Sequence, residues 1–407
     1  MTTAELPPHP EPALTTAPPP PAALGPRTAA PAPPAAPAPP AEPAPTAGQV
    51  MDRVRAYAAD LPARASEIER LGRLPADVLD GLKATGLLRA ALPPRRGGVE
   101  LTVPQITRAV DLLARGDGSV AWCAAVALNA ALAAVHLPDE VFTELFPDPD
   151  MVTATVLPPT GRAVRRGDGY LLSGRWAQAS GITHADRMLA GFHAPDGTPR
   201  IAVLDTARLR VIDTWHATGL RGTGSHDVEA VDLHVPRHHT FALQPPGAHG
   251  EPPHLRADNL AHKMAGIPLG IAGAALDSAR ELLAARRAAP PWPGAPADLA
   301  RAESLIGAAD AYVYSTLEKA WAAQTAGVAP ERGTAALARR FAHRACREAV
   351  QLLYDAVGSA AVYTERTPLD RCLRDLITAG RHVASAERIL DGVGTLRLGG
   401  DPASPHV

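Results

Sequence analysis

The apolar period of this chain changes twice along its length. From about residue 49 to 147 apolar residues recur at three and four positions, as in Val54-Tyr57-Ala58-Leu61 and Val78-Leu82, the spacing that lines up one face of a helix. From 151 to about 243 the period falls to two between turn residues, in the runs 153–156, 169–173, 188–192, 201–204 and 228–235. Short strands at this spacing read as a compact antiparallel sheet or barrel. Helical spacing then returns over 260–287, 297–326, 334–360 and 369–390, four long helices whose short connections suggest an antiparallel bundle. The fold class is therefore mainly α with a central β-domain. The expected division is a helical domain over 49–150, a β-domain over 151–245, a four-helix bundle over 257–398 and a short tail over 399–407.

The first 48 residues are almost entirely Pro, Ala and small polar residues without an apolar period. Such a segment buries too little to offset chain entropy and reads as a disordered, partly polyproline tail. It lacks the basic start and apolar run of a secretory signal. No membrane span is expected, the apolar segments being read as shorter than the roughly 20 charge-free residues that a span needs. A net charge of −2 argues against nucleic-acid binding, which needs a clustered basic surface. Cys123, Cys346 and Cys372 are far apart in helical segments, so neither a disulfide framework nor a metal site is indicated, and a cytoplasmic setting is the simplest.

Two stretches carry unusual local chemistry. Residues 174–186 put Trp176, the Ser180-Gly181 pair, His184 and Asp186 at the end of a strand, a composition that suits a backbone passing close to a flat ligand while offering it a hydroxyl. A buried Trp followed by a polar hairpin loop has the same local signature. The glycines of Gly219-Leu-Arg-Gly-Thr-Gly224 lie between strands and have the wrong spacing for a dinucleotide fingerprint, so no Rossmann unit is expected.

An ordered set of motifs supplies more. These are Gly72-Arg-Leu-Pro75, Leu82-Lys-Ala-Thr-Gly-Leu-Leu88, Arg96-Gly-Gly98, Gly116-Asp-Gly-Ser-Val-Ala-Trp122, Pro158-Pro-Thr-Gly161, the Trp176 to Gly181 stretch, Thr214-Trp-His-Ala-Thr-Gly-Leu-Arg-Gly-Thr-Gly-Ser-His-Asp227 and Pro368-Leu-Asp-Arg-Cys-Leu-Arg-Asp375 with His382 beyond it. Together they resemble the acyl-CoA dehydrogenase fold over residues 50 to 400, specifically its two-component flavin-dependent monooxygenase branch. The resemblance implies an N-terminal helical domain, a middle β-barrel and a C-terminal four-helix bundle, with a flavin ring held between the last two.

By that resemblance Ser180 meets flavin N5 and His382 faces the flavin, the two catalytic candidates. Trp176, Thr155, Gly161, Gly181, Arg221, Ser225, Gly358 and Arg374 are the further cofactor-binding candidates, and Trp122, His184, Asp258 and His262 the substrate-binding ones. The dehydrogenases of the family carry a catalytic glutamate; here the corresponding positions are Val383 beside His382, and Asn259 and Leu260 beside Asp258. Valine cannot abstract a proton, which disfavours acyl-CoA dehydrogenase or oxidase chemistry.

The implied chemistry is reduced flavin, FMN or FAD, delivered by a separate NAD(P)H-dependent flavin reductase and reacting with O2 through a C4a-hydroperoxide to hydroxylate a small organic molecule, an aromatic or polyketide-like ring or an amine. Serine can accept from N5–H, and a histidine can donate to the peroxide. A homotetramer is expected, with Gly358 near cofactor across a subunit boundary. A catalytically idle scaffold with this fold is a third reading.

Overall fold

In the computed structural model, residues 45–245, 247–285 and 294–402 are described; residues 1–44 of the Pro/Ala-rich segment and 403–407 of the tail lie outside them. Thr46 opens the first helix by accepting from the Gln49 N–H while Gln49 accepts from the Thr46 N–H, a capping box. The helices that follow are α1 (Ala47–Asp60), α2 (Ala65–Leu71), α3 (Ala76–Ala84), α4 (Val103–Gly116), α5 (Gly118–Ala127), α6 (Ala130–His136) and α7 (Asp139–Leu145). The break between α4 and α5 is one residue wide. Asp117 is extended there, and its carboxylate accepts from the Ser119 and Val120 N–H groups, which otherwise have no helical partner.

The 19-residue stretch Gly118–His136, with a mean hydropathy of 1.8 in its most apolar window, is long and apolar enough to cross a membrane, which corrects the expectation of shorter apolar runs. Its most apolar window is 83% buried inside the protein. An all-round apolar helix is accounted for by burial in a core.

The strands are β1 (Thr153–Arg166), β2 (Gly169–Trp176), β3 (Arg187–His193), β4 (Pro199–Asp205), β5 (Arg210–Ile212), β6 (Asp227–Pro236) and β7 (Thr240–Phe241). They form one seven-stranded sheet in the order β5-β6-β2-β1-β3-β4-β7. The sheet is mixed rather than antiparallel, because the loop after β2 crosses over and lays β3 parallel to β1; β5 and β7 are its short edges. The run read as a strand over 153–156 extends without a break through Gly161 to Arg166. Its register against β3 shifts between Val156 and Gly161, where Pro158 and Pro159 have no N–H for the ladder. Trp176, Leu172, Met188 and Phe192 are fully buried beneath one face of the sheet, each contributing about 1.5–3 kcal/mol through burial.

The remaining helices are α8 (Ala257–Leu260), α9 (Gly266–Ala285), α10 (Ala295–Thr325), α11 (Thr334–Val357), α12 (Leu369–Ala379) and α13 (Arg388–Arg397). α9, α10, α11 and α12 pack on one another, and α4 lies against α9. The helix expected over 369–390 is two helices. Ser385 donates to the Ala379 and His382 carbonyls at 2.9 Å, satisfying the end of α12, and His382 is extended with ψ 148°. His382 therefore lies in the break, not on a helix face.

Candidate active site

Three segments converge on Trp122 of α5. The loop after β2 brings Ser180, the 213–226 loop brings Ser225, and the α12–α13 break brings His382. The first two loops are tied through backbone bonds, Ala179 N–H to the His226 carbonyl at 2.9 Å and Gly181 N–H to the Thr223 carbonyl at 2.8 Å. Gly181 has φ +79°, a conformation that strains other residues.

The Trp122 indole N–H donates to Ser180 Oγ at 3.0 Å. Ser180 Oγ is 2.7 Å from Ser225 Oγ, which is 2.6 Å from Thr223 Oγ1. On its other side the Trp122 ring meets His382 edge to face, with centroids 5.1 Å apart and planes at 88°. Two candidates 202 residues apart in numbering thus flank one indole.

His382 Nδ1 accepts from the Ala384 N–H at 3.1 Å. In the neutral ring that acceptor role leaves the proton on Nε2. Arg339 of α11, almost fully buried, fixes the turn by donating to the Ala384 carbonyl at 2.6 Å. It also donates to Nδ1 of His262 at 3.1 Å. Burial, then the charges of Arg339 and Lys263, push the His262 ring down to about 3, so it stays neutral and acts as a half-buried acceptor.

The 213–226 loop is docked by Asp375 of α12, whose buried carboxylate accepts from the Leu220 N–H at 2.5 Å. Burial raises this carboxyl to about 7. Lys263 is equally buried, its ammonium donating to Asn129 at 2.9 Å, and burial lowers it to about 7. Thr223, Arg339, Asp375 and Lys263 were not singled out from the sequence. Thr223 was visible as a hydroxyl inside a glycine bend and Asp375 as half of an Arg-Asp pair; Arg339 stands among other helical arginines and gave no signal.

Several expected contacts fall elsewhere. Trp176 has no exposed surface and donates to the Gly191 carbonyl at 2.7 Å, so its ring supports the sheet and is not offered to a ligand. Gly161 serves that ring: a Cβ there would lie 2.6 Å from the Trp176 indole. Arg374 binds Glu69, Asp370 and the Thr218 carbonyl, a clasp between α2, the 213–226 loop and α12 made through Nε and Nη1. Asp258 is exposed on the four-residue α8. Gly358 ends α11 with φ +69°, its N–H donating to the Tyr354 carbonyl, which is a helix cap. Arg221 is exposed on the bend beside Thr223. Cys123, Cys346 and Cys372 are free and buried. Glu144, His238 and His239 bring ligating atoms within 4.8 Å of one another on the surface, a grouping not read from the sequence.

A flavin fits the polar atoms left open in this part of the chain, of which Nε2 of His184 lies beside Gly181, 3.2 Å from where a Cβ on that glycine would stand. The Thr153 and Thr155 hydroxyls, two residues apart on one face of β1, and Nε2 of His184 are buried without a hydrogen-bond partner. Buried polar atoms in that state point to a ligand that supplies heteroatoms. Burial lowers His184 to about 4, so its ring is neutral. Two surface clefts of about 230 Å³, one lined by Leu101, His254 and Trp321 and the other by Arg187, His234 and His239, do not include these residues.

The buried histidines make stability pH-dependent. His343 is pushed down to about 3 by burial and then by Arg339, whereas an unfolded histidine takes up its proton near 6.5. Stability is therefore fully present above about pH 6.5 and lost as pH falls toward the folded value. His343→Gln is expected to flatten the loss between about pH 6 and 4.5 by close to one proton, about 1.4 kcal/mol per pH unit, in urea unfolding curves. An unchanged slope would show that the ring titrates normally.

Residues 45–137 match the acyl-CoA dehydrogenase N-terminal domain and residues 263–387 the acyl-CoA dehydrogenase C-terminal domain. The chain is 31% identical over 362 residues to indole-3-acetate monooxygenase of Pseudomonas putida, covering 84% of this chain and 91% of that one. It is 31% identical over 202 residues to the flavin-dependent monooxygenase, oxygenase subunit HsaA, of Rhodococcus jostii, covering 48% and 52%. Among solved structures, XiaF from Streptomyces in complex with FADH2 and glycerol superposes with a TM-score of 0.77 at 26% identity, covering 89% and 98%. With helical N- and C-terminal parts around a central sheet and these relatives, the chain belongs to the acyl-CoA dehydrogenase family, in its two-component branch of flavin-dependent monooxygenases.

Proposed function

We propose that this monooxygenase hydroxylates a planar aromatic molecule held against Trp122, using FMN or FAD reduced by a separate NAD(P)H-dependent reductase. The observation that carries this reading is the single indole flanked by the Ser180 hydroxyl and the His382 ring. Ser180, Gly181, Thr155 and Arg221 would hold the flavin, with Ser180 accepting from its N5–H and Ser225 acting behind Ser180. Reduced flavin supplies the two electrons by which one atom of O2 enters the substrate and the other leaves as water. His382, with its proton on Nε2, donates to the reacting oxygen, and a donor so placed contributes roughly 10²–10⁴-fold. Trp122 keeps water from Ser180 and, with His184 and His262, forms the substrate side. The aromatic class is supported by the relative named for indole-3-acetate, and the reductase by the relative named as an oxygenase subunit.

The dehydrogenase reading finds no glutamate at the family's two base positions, which hold Val383 and the Asn259-Leu260 pair, with Asp258 beside the second on the four-residue α8. The assembly we propose is a homotetramer in the cytoplasm. α9 to α12 are read as an antiparallel four-helix bundle and the sheet as the family's barrel, with the exposed His382 edge and Gly358 covered by neighbouring subunits. Light scattering that returned a monomer would overturn the shared site.

The test is oxygen uptake with a flavin reductase, NAD(P)H and a panel of indoles and phenols. Substrate-dependent hydroxylated product is expected. In Ser180→Ala the yield of product per O2 should fall about tenfold, equivalent to roughly 1.4 kcal/mol for one buried hydrogen bond, with hydrogen peroxide making up the difference. Equal yields in the variant and the parent would remove Ser180 from the site.

A further inference from the structure

The hydrogen-bond chain ending on Ser180 has a direction. The Leu220 carbonyl can only accept, so the Thr223 hydroxyl donates to it across 2.8 Å. Thr223 has no second proton, and its 2.6 Å contact with Ser225 is a donation from Ser225. With the Ser225 proton committed, the 2.7 Å contact between Ser225 and Ser180 is a donation from Ser180. The Trp122 N–H can only donate, and at 3.0 Å it occupies one of the two Ser180 lone pairs. All four side chains are buried, exposed by 1% at Thr223, 2% at Ser225, 6% at Trp122 and 9% at Ser180. Water therefore competes little for these protons. Ser180 is left with one lone pair and no proton to give.

We propose that Thr223, Ser225 and Trp122 lock Ser180 as an obligate acceptor and thereby make the site select reduced over oxidised flavin. The inference rests on the reading of Ser180 as the partner of flavin N5. N5 of the reduced ring bears a hydrogen, and Ser180 accepts it. N5 of the oxidised ring bears only a lone pair, which the locked hydroxyl cannot satisfy; two acceptors facing each other in a buried site cost free energy that the first pairing gains. Thr223 and Ser225 are positioning residues, acting on the flavin only through Ser180. The bend tolerates changes at Thr223, because the Leu220 carbonyl also accepts from the Trp215 indole and from the Thr223 N–H, each at 3.1 Å.

Anaerobic titration of the full-length protein with FMN and FAD, each oxidised and dithionite-reduced, measures the ratio of the two dissociation constants. Thr223→Val removes the acceptor of Ser225, which can then turn its proton toward Ser180 and release the Ser180 hydroxyl to donate. Ser225→Ala releases that hydroxyl directly. Both variants are expected to tighten oxidised flavin and lower the preference for the reduced form about tenfold, the size of one net buried hydrogen bond. Thr223→Ser should restore the parent ratio. A parent ratio in both Thr223→Val and Ser225→Ala, with reduced flavin bound more weakly by Ser180→Ala, would overturn the lock and keep Ser180 as the N5 partner. Unchanged reduced-flavin binding in Ser180→Ala would overturn both. Should Thr223→Val fail to fold, judged by its melting curve, Ser225→Ala decides alone.

Discussion

His382→Ala is expected to lower hydroxylated product by about 10²–10⁴-fold, the range for loss of a positioned proton donor, while reduced-flavin oxidation continues with release of hydrogen peroxide. The magnitude follows from placement. The Ala384 N–H occupies Nδ1, so the neutral ring carries its proton on Nε2, and the Trp122 edge restrains the ring. Alanine also removes the acceptor that caps the turn at Val383, for which about 1 kcal/mol of stability is expected to go. His382→Asn separates the two effects. Its side-chain oxygen can still accept from Ala384, so the unfolding midpoint should return to the parent value while product stays low. Full activity in His382→Asn would assign the histidine to the cap alone.

Gly219→Ala is expected to destabilise the protein by about 3 kcal/mol, the upper part of the range for overpacking a rigid site. A Cβ at this position would lie 2.2 Å from the Arg374 carbonyl oxygen and 2.6 Å from the Asp375 nitrogen. Both are helix backbone and cannot turn aside. Relief requires the 213–226 loop to lift from α12, which pulls the Leu220 N–H away from Asp375 and leaves a buried carboxyl group without that donor. Thr223 and Ser225 ride on the same loop, so reduced-flavin affinity should fall with stability. Gly307→Ala on exposed α10, where a Cβ meets nothing within 4 Å, should instead be neutral or stabilising by up to about 1 kcal/mol. Denaturant unfolding of both variants checks the pair; equal stabilities would remove the loop-to-α12 clash from the account.

Much of the fold was legible because burial leaves a local trace. Period-three-and-four runs marked α1, α3, α4 and the long C-terminal helices; the capping boxes at Thr46 and Thr102 were not read from the sequence. What failed depended on partners distant in sequence. The split at His382 is set by Ser385 reaching back to Ala379; residues 369–390 alone have a continuous helical pattern. The parallel pairing of β1 with β3 follows from the path of the Ser180 loop, and periodicity carries no information about that path. β5 and β7 are three- and two-residue edges, too short to show a period.

The site divides in the same way. Ser180, Ser225, Trp122 and His382 were named from motifs and do converge. Trp176 and Arg374 were named from the same motifs and turn to the sheet core and to an ion-pair clasp. Identity at a motif position does not say which way a side chain faces.

By itself the sequence determined the order of helical, strand and helical parts and the residue types available for flavin chemistry, since apolar period and composition act over a few neighbouring residues. Only the tertiary structure decided which polar atoms meet. The bond from Trp122 to Ser180 spans 58 residues and that from Leu220 to Asp375 spans 155. A buried hydrogen bond forms or fails within a few tenths of an ångström, and it is the docking of whole loops and helices that sets such distances.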